Sequence, residues 1–128
     1  MTRKQKIAII EDDYSIRTLY KYKLSIEGFD VGEASNGIEG LKLVAELEPD
    51  LILLDLLMPE MNGDEMLEQL RATEWGSKPL VIVLTNISRD EKPHSLRFLN
   101  VSEYIVKAHY TPSQIMDTIH KLLKESSA

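Results

Sequence analysis

Five times along this chain a short apolar run gives way to a longer amphipathic stretch. That alternation limits the fold more than any other feature. The runs are Lys6–Ile10, Phe29–Glu33, Leu51–Leu56, Leu80–Leu84 and Glu103–Val106. The first, third and fourth are apolar on both faces, which is how a strand buried inside a parallel sheet reads. Between the runs, apolar residues recur at helical spacing. Ile16, Leu19, Tyr20 and Leu24 mark a first helix, with Gly28 as its stop. Ile38, Leu41, Val44 and Ala45 mark a second, after the Asn36-Gly37 turn and before Pro49. Met66, Leu67 and Leu70 mark a third, starting near Gly63-Asp64. A fourth over Glu91–Leu99 has the weakest pattern, and Pro93 must sit in its first turn or break it. Ile115, Ile119, Leu122 and Leu123 mark a fifth, with Thr111 as N-cap and Pro112 at its first position.

A (βα)5 chain with right-handed crossovers folds as a doubly wound α/β sheet with helices on both faces. The expected strand order is 2-1-3-4-5, one parallel sheet in one domain over residues 1–128, with a core over 6–124 and short polar ends. Strands 1 and 3 are then neighbours where the strand order reverses, and open α/β sheets bind ligands beyond the carboxyl ends of the strands at that point.

Composition narrows the chemistry. There are no cysteines, which removes disulfides, thiolate metal sites and cysteine nucleophiles, and is compatible with a reducing cytosol. Fifteen basic residues against 21 acidic give a net charge of −6, which disfavours nonspecific nucleic-acid or anionic-membrane binding. The opening MTRKQKIAIIEDD does not read as a signal peptide, and no apolar run approaches the roughly 20 residues of a membrane span. A cytoplasmic location is expected. Nothing after Lys124 reads as an output module.

The strand ends carry the chemistry. Strand 1 runs into Glu11-Asp12-Asp13, strand 3 into Asp55, strand 4 into Thr85 and strand 5 into Lys107. One edge of the sheet therefore collects carboxylates, a hydroxyl and an ammonium. Clustered carboxylates suit a hard cation such as Mg2+, with Mn2+ also acceptable, and no soft ligand points to zinc or copper. The set fits phosphoryl transfer: Asp55 as nucleophile, a cation on Asp13 and Asp55 with Asp12 through water, Lys107 on one phosphoryl oxygen and Thr85 on another. Asp12 or Asp13 can also serve as a helix N-cap, but two acids plus Glu11 exceed what capping needs. Glu11 reads as solvated or structural. Met58, Met61 and Met66 read as loop packing, Trp75 as closing the third helix, and the histidines as surface residues.

EDDYSIR, LLDLLMPEMNG, Thr85 at the end of strand 4, and Tyr104 three residues before Lys107 occur in this order along nearly the whole chain. Together they resemble the receiver domain of response regulators in bacterial two-component signalling, a flavodoxin-like three-layer fold. The resemblance implies that Asp55 accepts a phosphoryl group from a histidine kinase or phosphotransfer protein. It implies a Mg2+ held by Asp12, Asp13, Asp55 and the Leu57 carbonyl. It implies a switch in which Thr85 moves toward the phosphoryl group and the Tyr104 ring turns inward. The fourth helix, fifth strand and fifth helix would present the result to an output protein, the chain itself being a monomer or weak homodimer. A receiver is a phosphoacceptor rather than an enzyme with a separate substrate.

Three positions depart from that family's pattern. Ala108 follows Lys107 where a cis proline is common; a cis non-proline bond costs about 3 kcal/mol, so a trans loop is expected. Asn86 stands where a very small residue is usual. Leu57 and Ile87 flank the expected path of the hydrolytic water and cannot orient it, which implies slow self-dephosphorylation. Other classes fit less well. A flavodoxin-type electron carrier needs a phosphate-binding loop where this chain has EDDYS. A haloacid-dehalogenase-type phosphatase needs Asp-x-Asp after strand 1. The motif GxxxxGK[ST] of a P-loop nucleotidase is absent. The nearest alternative is a degenerate receiver acting only as an interaction module.

Overall fold

A computed structural model describes residues 3–127. The strands are β1 (Lys6–Ile10), β2 (Asp30–Ala34), β3 (Leu51–Leu54), β4 (Leu80–Thr85) and β5 (Glu103–Val106). The helices are α1 (Tyr14–Ile26), α2 (Gly37–Leu47), α3 (Gly63–Arg71) and α4 (Pro112–Ser127), the last being the fifth helix of the sequence reading. All five strands are parallel, in the order β2-β1-β3-β4-β5, as expected.

Alternation along each strand splits the core into two layers. Ala8, Ile10, Ile52, Leu54, Val81, Val83, Tyr104 and Val106 pack with Val44 of α2 and with Met66, Leu67 and Leu70 of α3. Ile7, Ile9, Leu51, Leu53, Ile82, Leu84 and Ile105 pack with Tyr20 and Leu24 of α1 and with Ile115, Ile119 and Leu123 of α4. Each fully buried side chain of this kind contributes roughly 1.5–3 kcal/mol, so the two layers, not the loops, hold the sheet together.

The segment between β4 and β5 departs from the expectation of a fourth α-helix over Glu91–Leu99. It forms two short 3-10 turns, Arg89–Glu91 and His94–Phe98. Pro93 is the cause: it has no amide to donate, and it forces Lys92 before it to extended backbone (φ −63°, ψ 144°). Beyond it, Leu96 N donates to Pro93 O and Leu99 N to Leu96 O, the i→i+3 pattern. Leu96 and Leu99, three apart, are the pair that reaches the core. Asn100, just past the second turn, takes the left-handed conformation at φ +54°.

Helix starts follow the sequence closely. The Asn36 side chain caps α2 through the Glu39 amide at 2.9 Å. Thr111 accepts from the Gln114 amide at 3.2 Å while Gln114 Oε1 accepts from the Thr111 amide at 2.8 Å, a reciprocal capping box for α4. The end of α3 is closed not by Trp75 but by Thr73, whose hydroxyl donates to Leu70 O and accepts from the Gly76 amide. No described helix is long and apolar enough to cross a membrane.

Candidate phosphoacceptor and cation site

The site lies at the carboxyl edge between β1 and β3, where the strand order reverses. Asp55 sits one residue past β3 and is 6 % exposed. Its amide donates to Ile10 O at 3.0 Å, which continues the β1–β3 ladder and pins the residue. Its Oδ1 accepts from the Leu56 amide at 2.7 Å and the Leu57 amide at 3.4 Å.

The loop that follows explains the stretch LLMPEMNG. Gly63 N donates to Leu56 O at 3.0 Å, and a Cβ on Gly63 would lie 2.0 Å from Asp55 O, so only glycine lets α3 begin this close to the acceptor. Asn62 Oδ1 accepts from the Met58 amide, and Glu60 takes the left-handed conformation at φ +67°. The loop is folded back on itself beneath Asp55.

Lys107 follows β5 and is largely buried. Its Nζ donates to Glu11 Oε1 at 2.5 Å and to Asp55 Oδ2 at 3.3 Å. Glu11 is 4 % exposed, not solvated, and its Oε2 is buried with no hydrogen-bond partner. Burial foremost, then the neighbouring Asp55 carboxyl, pushes the Glu11 carboxyl up to about 8 against the pull of Lys107. Lys107 loses hydration on burial, but Glu11 and Asp55 outweigh that loss and hold its ammonium above the ordinary value.

Ligand atoms of Glu11, Asp12 and Asp55 lie within 4.8 Å of one another. Asp13, expected with them, does not join this cluster. Its side chain accepts from the Ile16 amide at 3.0 Å and is the N-cap of α1. Strand parity accounts for Glu11, and the N-cap role accounts for the loss of Asp13. Ile7 and Ile9 face the α1–α4 layer, and Glu11 continues that face; Leu51, Leu53 and Asp55 share it, as do Ile105 and Lys107. The alternation in the sequence carried this signal, but Asp13 lies beyond the strand, where the helix claims it.

Arg17, unassigned from the sequence, braces the cluster from α1: its Nη1 donates to the Glu11 carbonyl at 2.8 Å. The donors of the cluster are all carboxylate oxygens, hard ligands of the kind Mg2+ takes, and the unpartnered Glu11 Oε2 is a group that an ion or its bound water would satisfy. The residues present therefore fit a hard divalent cation.

Thr85 and Tyr104 face the opposite layer. Thr85 is fully buried, and its Oγ1 accepts from the Ile87 amide at 3.4 Å. The Tyr104 ring is already inside, and its hydroxyl donates to Ile87 O at 2.8 Å. Arg89 donates to Tyr104 O at 2.7 Å, and Lys92 Nζ lies 5.5 Å from the ring centroid. Burial raises the Tyr104 phenol above its ordinary value. Leu57, two residues after the acceptor, is 55 % exposed, and Ile87 is partly buried and packs against the core. Asn86 is exposed, and among the described residues no peptide bond is cis, Lys107-Ala108 included.

Comparison with known proteins agrees with this geometry. Residues 7–120 match the family described as "Response regulator receiver domain". The chain is 34% identical over 122 residues to a probable transcriptional regulator, ycf27, of Porphyridium aerugineum, covering 95% of this chain and 49% of that protein. It is 32% identical over 122 residues to the alkaline phosphatase synthesis transcriptional regulatory protein PhoP of Bacillus subtilis, covering 95% and 50%. The chain thus spans about half the length of these curated relatives. Among solved structures, a CheY-like response regulator receiver domain protein of Methanospirillum hungatei superposes with a TM-score of 0.87 at 27% identity, covering 98% of both chains. The response regulator TrrA of Thermotoga maritima, solved in complex with Mg2+ and BeF, gives a TM-score of 0.79 at 30% identity, covering 92% of this chain and 98% of that one.

The fold, the acidic edge and these matches define a two-component signalling module of the flavodoxin-like class. The chain belongs to the response regulator receiver domain family.

Proposed function

We propose that Asp55 accepts a phosphoryl group from the phosphohistidine of a histidine kinase or phosphotransfer protein, and that Glu11, Asp12, Asp55 and the Leu57 carbonyl hold a Mg2+ while it does so. The observation that carries this reading is the Lys107 ammonium shared between buried Glu11 and Asp55 at the switch point of the sheet. An Asp55 carboxylate oxygen attacks phosphorus in line; the P–N bond breaks as the P–O bond forms, and the imidazole leaves with its proton restored by solvent. The Leu56 and Leu57 amides orient the attacking carboxylate through Oδ1. Lys107 transfers part of its hydrogen bonding from Asp55 Oδ2 to the incoming phosphoryl oxygen. The cation, when bound, neutralises charge on the phosphoryl oxygens; Mn2+ meets the same oxygen donors.

Thr85 then turns its hydroxyl from the Ile87 amide toward the phosphoryl group, and the segment 86–93, tied to Tyr104 through Ile87 and Arg89, moves with it. The surface changed is that of the two 3-10 turns, β5 and α4, read by an output protein rather than by nucleic acid directly. Exposed apolar Leu57 cannot orient a hydrolytic water, so the acyl phosphate decays slowly. Intact-mass measurement after acetyl phosphate with Mg2+ should show one added phosphoryl group in the wild type and none in Asp55→Ala. An unmodified wild type would refute this reading in favour of a phosphorylation-independent interaction module.

A further inference from the structure

Glu11 is where β1 ends and the chain turns toward α1. Its amide donates to Ala34 O of β2 at 3.0 Å, and its carbonyl accepts from Arg17 Nη1 at 2.8 Å, so its backbone is gripped on both sides. Only then does the side chain reach forward to Lys107. Arg17 is itself held. Its Nε donates to Glu33 Oε1 on β2 at 2.9 Å, and Lys21, one helical turn on, pairs with the other Glu33 oxygen at 2.5 Å. The Tyr14 ring lies 5.6 Å from the guanidinium carbon on a further side. The two donor directions Arg17 uses are fixed by its planar fork, a geometry that the single nitrogen of a lysine does not reproduce. The arrangement also places a second cation beside Glu11, at its carbonyl, while Lys107 pairs with the Glu11 and Asp55 carboxylates.

We propose that Arg17 and Glu33 are a positioning pair: Glu33 orients Arg17, Arg17 fixes the Glu11 carbonyl, and the acidic cluster is thereby aimed at the cation and the phosphoryl group. The proposal rests on the reading of Glu11, Asp12 and Asp55 as a cation site. Neither residue touches the reacting atoms. Outer groups that orient metal ligands commonly change metal affinity by about 10–100-fold, so the effect belongs in cation binding and not only in stability.

Calorimetric titration with MgCl2 alone tests it on the wild type, Arg17→Lys, Arg17→Ala, Glu33→Ala, the double alanine variant and Asp12→Asn, with melting temperatures measured in parallel. Arg17→Lys and Arg17→Ala should weaken Mg2+ binding about tenfold, the low end of that range, and Glu33→Ala, which acts only through Arg17, by about threefold, less than that range. The double variant should bind no worse than Arg17→Ala, because the two act in series. Should Arg17→Ala not fold, Arg17→Lys and Glu33→Ala carry the test. Unchanged affinity in both, whatever their melting temperatures, overturns the positioning role while Asp12→Asn still loses binding. A wild type that takes up no Mg2+, or an Asp12→Asn variant that binds like it, overturns the cation site and the proposal with it.

Discussion

The two faces of the sheet meet the carboxyl edge with different equipment. On the α1–α4 face, Glu11, Asp55 and Lys107 are ionisable, close and tied to strand backbone and to α1. On the α2–α3 face, Thr85 and Tyr104 are neutral hydroxyls tied to a segment of 3-10 turns that has few ladder bonds of its own. The difference teaches where each task belongs. The proposed phosphoryl and cation chemistry needs groups that do not move, and Glu11, Asp55 and Lys107 continue the strand face packed by α1 and α4. The proposed switch needs two arrangements close in energy, and Thr85 and Tyr104 are tied to a segment of short 3-10 turns in place of a full helix.

Substitutions on the two sides should differ accordingly. Ile10→Ala, in the α2 layer where α2 approaches β1 closely at Gly40, should destabilise by about 2–5 kcal/mol in denaturant unfolding. Tyr104→Phe leaves Ile87 O without its hydroxyl donor and should cost about 0.5–1.5 kcal/mol, with faster amide exchange confined to the segment from Ile87 to Leu99. Exchange that quickens equally in β1 and β3 would erase the contrast between the faces. Phe98→Ala should stay within about 0.5 kcal/mol, because Phe98 is 78 % exposed on the second 3-10 turn.

The smallest effect concerns Glu33, held below the usual carboxylate range by hydrogen bonds from Lys21 and then Arg17. A depressed folded value means the stabilisation is present above the ordinary value of 4.5 and is lost as pH falls through the lower folded one. Glu33→Gln should therefore flatten the acid limb of stability against pH slightly. The surface location limits the difference to well under about 1 kcal/mol at neutral pH.

Much of this was legible in the residues. Consecutive apolar positions in KIAII, LILL and LVIVLT require strands buried on both faces, and right-handed crossovers place helices on both sides; the order 2-1-3-4-5 was expected only as the commonest at this length, not dictated by the residues. Asp55, Thr85 and Lys107 could be placed because each directly follows or ends such a run. Two features were not legible. Apolar spacing around Leu96 and Leu99 fits a 3.0 and a 3.6 period alike over so short a stretch, and the extended backbone that Pro93 imposes on Lys92 decided between them. Asp12 and Asp13 are the same residue type and both suit an N-cap or a cation. Composition could not separate them, whereas the reach of Asp13 to the Ile16 amide does. That capture leaves Glu11, continuing the face of Ile7 and Ile9, to complete the carboxylate cluster.

This reassignment gives the most direct measurement. Mg2+ titration of Asp12→Asn and Asp13→Asn beside the wild type, with melting curves for each, separates ligand from cap. Asp12→Asn should lose Mg2+ uptake with little change in melting. Asp13→Asn, which keeps a capping oxygen, should bind as the wild type does, and Asp13→Ala should cost about 1 kcal/mol of stability at unchanged affinity. Loss of Mg2+ binding in Asp13→Asn equal to that in Asp12→Asn would contradict the account.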